Sequence, residues 1–340
     1  MDGGRAASRR GRRPLGPVRV LLTGSSGWLG RFLAPMLRAA GHVVVGLDVA
    51  PGADTDVVGS VADRALVERA FADRGRIGAV VHAAALHKPD IARYPARAFV
   101  DVNVTGTLNL LEAATAAGAD RFVLTSTTSL MVSQAIRDEA GEAAAWLDEE
   151  TGPLAPRNIY GVTKLAAEGL CRVAHHERGI SCVVLRAARF FPEEDDTRRD
   201  LDGPNLKANE FLHRRLTVED AARAHLAALD RAPALGFGLF VLSAPTPFDR
   251  SEAAELKRDA AAVVARRFPD ARALYAARGW RLPASLGRVY DSGRARRDLG
   301  FRFATDFAAV LGALRSGGPL PFAHDPAHVS PGARGGGASR

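Results

Sequence analysis

From Val18 to Ala187 short apolar, β-branched runs alternate with longer helical patterns, and this alternation limits the possible folds more than any other feature of the chain. "VRVLLTG" (18–24) reads as a buried strand ending in glycine, followed by a helix from Trp28 to about Ala40 that Gly41 stops. "HVVVGLD" (42–48) repeats the strand signal and "TDVVGS" (55–60) gives a weaker third. A helix over Asp63–Asp73 leads to the strand "AVVHAAA" (79–85). A helix through Asn103 to Ala117, the strand "RFVLTS" (121–126), a helix from about Ile159 to Arg178 and the strand "SCVVLRA" (181–187) complete the series. Strands that alternate with helices in this way predict an α/β fold, a doubly wound parallel sheet of Rossmann type with helices on both faces.

Beyond Pro192 the pattern loosens. "EEDDTRRDLDGPN" (193–205) reads as a charged, turn-rich loop. Helices at about 218–231 and 252–267, a strand "GLFVLSA" (238–244) and a terminal helix near 305–315 follow. So few strands predict a smaller substrate-binding lobe over 193–328, partly interleaved with an NAD(P)-binding Rossmann domain over 18–192. Residues 1–17 and 329–340, rich in glycine and arginine, are expected to be disordered tails.

Of the net charge of +8, half sits in residues 1–17, where five arginines face one aspartate. No aromatic residue interrupts that tail, so nucleic-acid binding is not expected. Arginine outnumbers lysine 42 to 4, a bias that points to a GC-rich genome rather than to a binding surface. With 47% apolar residues and no 18-residue apolar run, the reading is a globular protein without a membrane span or signal peptide, cytoplasmic by default. Cys171 and Cys182 fall in apolar settings and read as buried free thiols. His175–His176 and the pair His324 and His328 lack completing ligands, so no metal is expected.

"TGSSGWLG" (Thr23–Gly30) lies where a phosphate-binding turn belongs, after the first strand and at the start of the first helix. Gly24, Gly27 and Gly30 let backbone approach a pyrophosphate, and the helix N-terminus offers N–H groups to the anion. Asp48 ends the second strand where a ribose 2′-hydroxyl would lie, which predicts NAD in preference to NADP. "PRNIYGVTK" (156–164) adds the chain's one Tyr and Lys at a spacing of four, Tyr160 and Lys164, one helical turn apart on one face. A phenol of ordinary pKa about 10 acts as a base near neutrality only with positive charge beside it, which Lys164 can supply.

With these motifs the chain resembles the extended short-chain dehydrogenase/reductase family, in particular its NAD-dependent epimerase/dehydratase group. The resemblance rests also on "HAAA" (82–85), "NVTGTLNLLEAA" (103–114), "FVLTSTTS" (122–129), "LRAARFFP" (185–192), "TVEDAARAHLAAL" (217–229) and "VYDSGRARRDLGF" (289–301). It implies a catalytic triad of Thr127, Tyr160 and Lys164, with Ser126 and Thr128 as neighbouring candidates for the hydroxyl. Tyr160 would be the general acid/base, Lys164 would also hold the nicotinamide ribose, and Thr127 would bond the substrate oxygen. The cofactor site it implies comprises Gly24, Ser26, Gly27, Trp28, Leu29, Gly30, Asp48, Val61, Ala83, Ala84, Ala85, Asn103, Tyr160 and Lys164. Asn103 is either structural or part of a proton relay, and His82 reads as a satisfied strand-end residue.

Four departures from the group's pattern bear on the site. Ser60 stands where an adenine-binding Asp is usual, leaving Val61 or Asp63 as possible contacts. Arg189 replaces an Asn and His213 an Arg of the nucleotide-sugar members, and the segment between Pro192 and Leu216 is short. Arg189, Phe190, Arg215 and Arg288 are the expected substrate-side residues, and these arginines, with Arg214, either bind an anionic substrate or are solvated or salt-bridged. The expected activity is an NAD(P)-dependent oxidoreductase of the epimerase/dehydratase type, acting on a secondary alcohol or ketone of a sugar-like substrate. Its rivals are a carbonyl reductase or dehydrogenase of a small molecule, and a non-catalytic dinucleotide sensor. Expected partners are the small-molecule substrate and a second copy of the chain in a homodimer, with no nucleic acid and no membrane.

Overall fold

The computed structural model describes residues 16–192 and 201–324. Most of the basic N-terminal stretch, most of the charged segment 193–205, His328 and the C-terminal stretch lie outside the described residues. In chain order the elements of the first half are β1 (Arg19–Thr23), α1 (Trp28–Ala39), β2 (Val43–Asp48), β3 (Val57–Val58), α2 (Arg64–Asp73), β4 (Ala79–His82), α3 (Ala96–Phe99), α4 (Gly106–Ala116), β5 (Arg121–Thr127), α5 (Gln134–Arg137), β6 (Ala145–Leu147), α6 (Ile159–Arg178) and β7 (Ser181–Ala187). The second half adds α7 (Gly203–Glu210), α8 (Val218–Leu235), β8 (Phe237–Leu242), α9 (Ala253–Arg267), α10 (Ala271–Ala276), β9 (Arg288–Tyr290) and α11 (Phe307–Ser316).

Seven strands form one parallel sheet in the order β3-β2-β1-β4-β5-β7-β8. Strand side chains alternate between faces, so Val20 and Leu22 enter one core and Leu21 the other. Leu33 and Leu37 of α1 and Ala221 and Leu229 of α8 cover the first face; Val67 of α2, Leu110 of α4 and Ala167 of α6 cover the second. Burial on both faces is why β1 and β4 read as continuous apolar runs. The order reverses between β1 and β4, and a crevice opens outside the carboxyl ends of the strands at such a switch point.

Four features differ from the sequence reading or lie beyond it. The segment 218–242 serves the main sheet: α8 packs on it and β8 pairs with β7 from Cys182↔Phe237 to Ala187↔Leu242. The helix read from Asn103 begins earlier, with a π-helical stretch over Val100–Thr105 ahead of α4. The loop read to Asn205 ends sooner, because Asp202 caps the Asn205 amide and Pro204 sits in the first turn of α7. The two-stranded parallel sheet of β6 and β9 was not read, since three-residue strands carry no usable period. Phe211, Leu256, Val263, Tyr275, Phe307 and Leu311 form a third core beside these strands.

Candidate active site

A cavity of about 1320 Å³ occupies the crevice. Its nucleotide end starts at Gly24, whose φ of +75° suits glycine and whose amide donates to the Leu47 carbonyl at 2.8 Å. A Cβ at Gly30 would stand 2.2 Å from the Gly24 carbonyl oxygen, so only glycine lets α1 seat on the turn. Gly27 caps α1 without a side chain and the first turn holds no acid. The helix N-terminus is thus bare where Gly27, Trp28 and Leu29 line the cavity, a fit for a pyrophosphate. Asp48 lines the same end, accepting from the Ser26 amide on Oδ2 and the Ala50 amide on Oδ1, each at 3.0 Å. A carboxylate has about four acceptor sites, so two remain for ribose hydroxyls.

The sequence-predicted cofactor residues divide into wall and frame. Gly24, Gly27, Trp28, Leu29, Asp48, Val61, Ala83, Ala84, Ala85, Tyr160 and Lys164 line the cavity. Ser26 and Gly30 shape the turn from behind it: the Ser26 hydroxyl donates to the Ala50 carbonyl at 2.9 Å. Asn103 also lies behind the wall. It accepts from the Leu86 amide at 2.9 Å and donates to the Leu86 carbonyl at 2.9 Å and to Thr163 Oγ1 at 3.1 Å, fixing the loop after β4 to α6. Asp63 caps α2 through the Leu66 amide, whereas Ser60 and Val61 face the cavity. His82 is bonded on both ring nitrogens, to Thr23 at 2.7 Å and Thr107 at 3.1 Å. Burial, with Lys164 adding, lowers its pKa to about 3, which keeps it neutral.

Asn158 caps α6 by accepting from the Gly161 amide at 2.9 Å, which sets Tyr160 in the first turn and Lys164 one turn later on the cavity wall. Thr127, the last residue of β5, lines the cavity with Tyr160 and accepts from the Ser129 amide at 3.1 Å. Ser126 instead donates to Glu168 at 2.6 Å, and Glu168 pairs with Arg186 at 2.8 Å, both buried. Thr128 reaches only the Ala187 carbonyl, at 3.5 Å. Thr127 is therefore the hydroxyl beside the phenol. Burial pushes the Tyr160 pKa up to about 12, with the nearby Thr127 hydroxyl opposing and the Asp90 carboxylate adding. Burial also lowers the Lys164 pKa to about 8, with Glu168 opposing. Asp90 was not singled out by sequence reasoning; it pairs with His87 at 2.7 Å, and both line the cavity. The His87 ring stacks on Phe191 at 5.0 Å.

At the substrate end Arg189, Phe190, Arg214 and Arg288 reach the wall, and Arg215 does not. Buried Glu210 accounts for this: Arg215 bonds it at 2.8 Å and donates to the Phe191 carbonyl at 2.7 Å, while Arg214 pairs with it at 3.0 Å. Burial opposes the Glu210 charge, yet Arg214, Arg215 and Arg189 hold its pKa below the ordinary value. His213 donates from Nδ1 to the Arg288 carbonyl at 2.7 Å and so fixes β9. Arg137 and Arg157 also line this end, unflagged by the sequence reading although Arg157 stands three residues before Tyr160. Among the described residues no group of three His, Cys, Asp or Glu is placed to hold a metal ion, and no helix is long and apolar enough to cross a membrane.

Residues 20–204 match the model of the NAD dependent epimerase/dehydratase family. The chain is 27% identical over 319 residues to a UDP-glucose 4-epimerase of Streptomyces lividans, spanning 83% of this chain and 91% of that protein. It is 33% identical over 159 residues to a dTDP-glucose 4,6-dehydratase of Streptomyces griseus, spanning 42% of this chain and 44% of that one. In fold it is similar to a short-chain dehydrogenase/reductase superfamily protein from Agrobacterium tumefaciens with bound NAD, at TM-score 0.61 and 24% identity, covering 88% of this chain and 96% of that one. The family match spans more than half of the chain, and on that ground the chain is an NAD-dependent enzyme that belongs to the NAD dependent epimerase/dehydratase family.

Proposed function

We propose that the enzyme oxidises and reduces a secondary alcohol or ketone of a sugar-like substrate, with Tyr160 as general acid/base. The observation that carries this reading is the gathering of Thr127, Tyr160 and Lys164 on one cavity wall, with the Thr127 hydroxyl near enough to the Tyr160 phenol to favour its phenolate. Bound NAD would supply the hydride acceptor or donor and, when oxidised, a positive charge. Tyr160 would take the hydroxyl proton of an alcohol and return it to a ketone oxygen. Thr127 would orient that oxygen, and the Lys164 ammonium would favour the phenolate while holding ribose hydroxyls. Turnover and NAD binding of Tyr160→Phe test the reading together: activity is lost while the cofactor is still bound.

A second reading, a carbonyl reductase of a small apolar molecule, draws on Phe190 and Phe191, which stack at 4.7 Å on the cavity wall. Mass spectrometry of the cofactor that co-purifies separates the two. Retained NAD favours internal recycling as in an epimerase, and an empty site favours a dehydrogenase or reductase. A non-catalytic sensor fits poorly with a complete triad. The homodimer is proposed to form through Val162 and Val173, exposed three turns apart on α6, together with Leu108 on the adjoining α4.

A further inference from the structure

A second set of guanidiniums faces the cavity apart from the Glu210 cluster. Arg137 ends α5, Arg157 immediately precedes the cap of α6, and Arg288 opens β9; all three line the wall, with Tyr290 among them. Arg157 Nε donates to the Val132 carbonyl and Arg288 Nε to the Tyr290 hydroxyl, each at 3.3 Å. A guanidinium has five donors in a rigid fork, so these single neutral contacts use only a small part of each. The acids in range are engaged elsewhere. Glu210 holds Arg214 and Arg215, Glu139 holds Lys257 at 2.6 Å, and Asp138 accepts from Gln134 at 2.7 and 2.9 Å. Burial, then the like charges of Arg137 and Arg288, lowers the Arg157 pKa with Asp138 and Tyr290 opposing, whereas Tyr290, Glu139 and Glu210 raise that of Arg288 against its burial. Backbone beneath Arg288 is fixed on both sides, by the pairing Ala145↔Arg288 and by His213.

Three guanidiniums gathered on one wall, with most of the donors of Arg157 and Arg288 unused, suit an anion from solution. We infer that Arg137, Arg157 and Arg288 form a subsite for a terminal oxyanion, a carboxylate or phosphomonoester, carried by the sugar-like substrate. This rests on the reading above that the Tyr160 end of the cavity receives the substrate. Guanidinium forks match both groups bidentately. A bridging diphosphate is disfavoured, because Arg214 and Arg215 are tied to Glu210 and position 213 carries a histidine bonded to backbone.

The test is calorimetric titration of the NAD-loaded full chain with a hexose, the matching hexuronate, the matching hexose 6-phosphate and UDP-glucose. One of the two singly substituted anions is expected to bind at least about tenfold tighter than the neutral hexose, and its identity names the oxyanion. Arg157→Gln and Arg288→Gln are each expected to weaken that anion roughly ten- to hundred-fold while leaving the neutral hexose and NAD unaffected. Arg157 is exposed, so its variant keeps the fold even if the Arg288 variant loses it. No preference for either anion over the hexose, an unchanged anion affinity in Arg157→Gln, or UDP-glucose binding tighter than both would overturn the inference. Tyr160→Phe keeps the two readings apart. Anion selectivity should persist in it without turnover, whereas wild-type turnover would remove the catalytic reading and leave the anion result standing.

Discussion

The indole N–H of Trp28 donates to the carbonyl of Phe190 at 3.1 Å, joining the first residue of α1 to a residue on the substrate wall. The nucleotide turn and the substrate end are thereby held in one register, although 162 residues separate them in the chain. Trp28→Phe leaves that buried carbonyl without its donor. A loss of about 1–3 kcal/mol in stability is expected, read from urea denaturation.

Asp48 is the residue expected to set the cofactor preference. Its carboxylate is fixed by two backbone amides and faces the cavity, where it would accept from a 2′-hydroxyl and repel a 2′-phosphate. NAD should bind at least about tenfold tighter than NADP, and Asp48→Asn should narrow the gap. Fluorescence titration of both cofactors measures this; tighter NADP binding by the wild type would take Asp48 out of that role.

Tyr160→Phe should reduce turnover by about 10²–10⁴-fold, the usual contribution of a general acid/base. NAD affinity should stay within a few-fold of wild type, since the turn at Gly24 is untouched. Steady-state rates and a cofactor titration on the same preparation decide it.

Lys164 should make stability depend on pH. Its pKa falls from the ordinary 10.5 to about 8 on burial. Between those values the unfolded chain holds a proton that the folded chain has released, so this group makes stability rise with pH across that window. Below about pH 8 the cost of the buried charge is fully present, on the order of 3 kcal/mol. Lys164→Met is therefore expected to melt higher than wild type at pH 7 and to lose that advantage by about pH 10.5. A difference that stayed constant over the range would assign it to packing instead.

Light scattering should give a dimer for the wild type. Val162→Glu combined with Val173→Glu should give a folded monomer, because both valines are exposed on α6 and neither belongs to a core. A variant that remained dimeric would move the contact to another face.

Much of this architecture was legible before any coordinates. β7 and α6 fall on their expected bounds, because a buried parallel strand and a capped amphipathic helix each leave a strong local period. The spacing of Tyr160 and Lys164 and the resemblance picked out Thr127 with Ser126 and Thr128 as neighbouring candidates, but nothing local shows that Ser126 is taken by Glu168, which Arg186 of β7 also holds. Arg215 seemed available for substrate because nothing local shows that Glu210, five residues earlier, is buried against it. Likewise, Arg137, Arg157 and Arg288 lie far apart in sequence, and only the pairing of β6 with β9 and the entry into α6 bring them to one wall.

The return of the chain to the main sheet after the cavity wall has been built also governs how this enzyme can be dissected. A fragment ending at Pro192 would lack both β8 and α8, leaving β7 as a bare rim and Val183 and Leu185 without their helical cover. Nicking or truncation within the second half should therefore cause aggregation rather than release a stable nucleotide-binding core. In cells, cofactor grip and substrate choice would then survive or be degraded together, as one proteolytic unit.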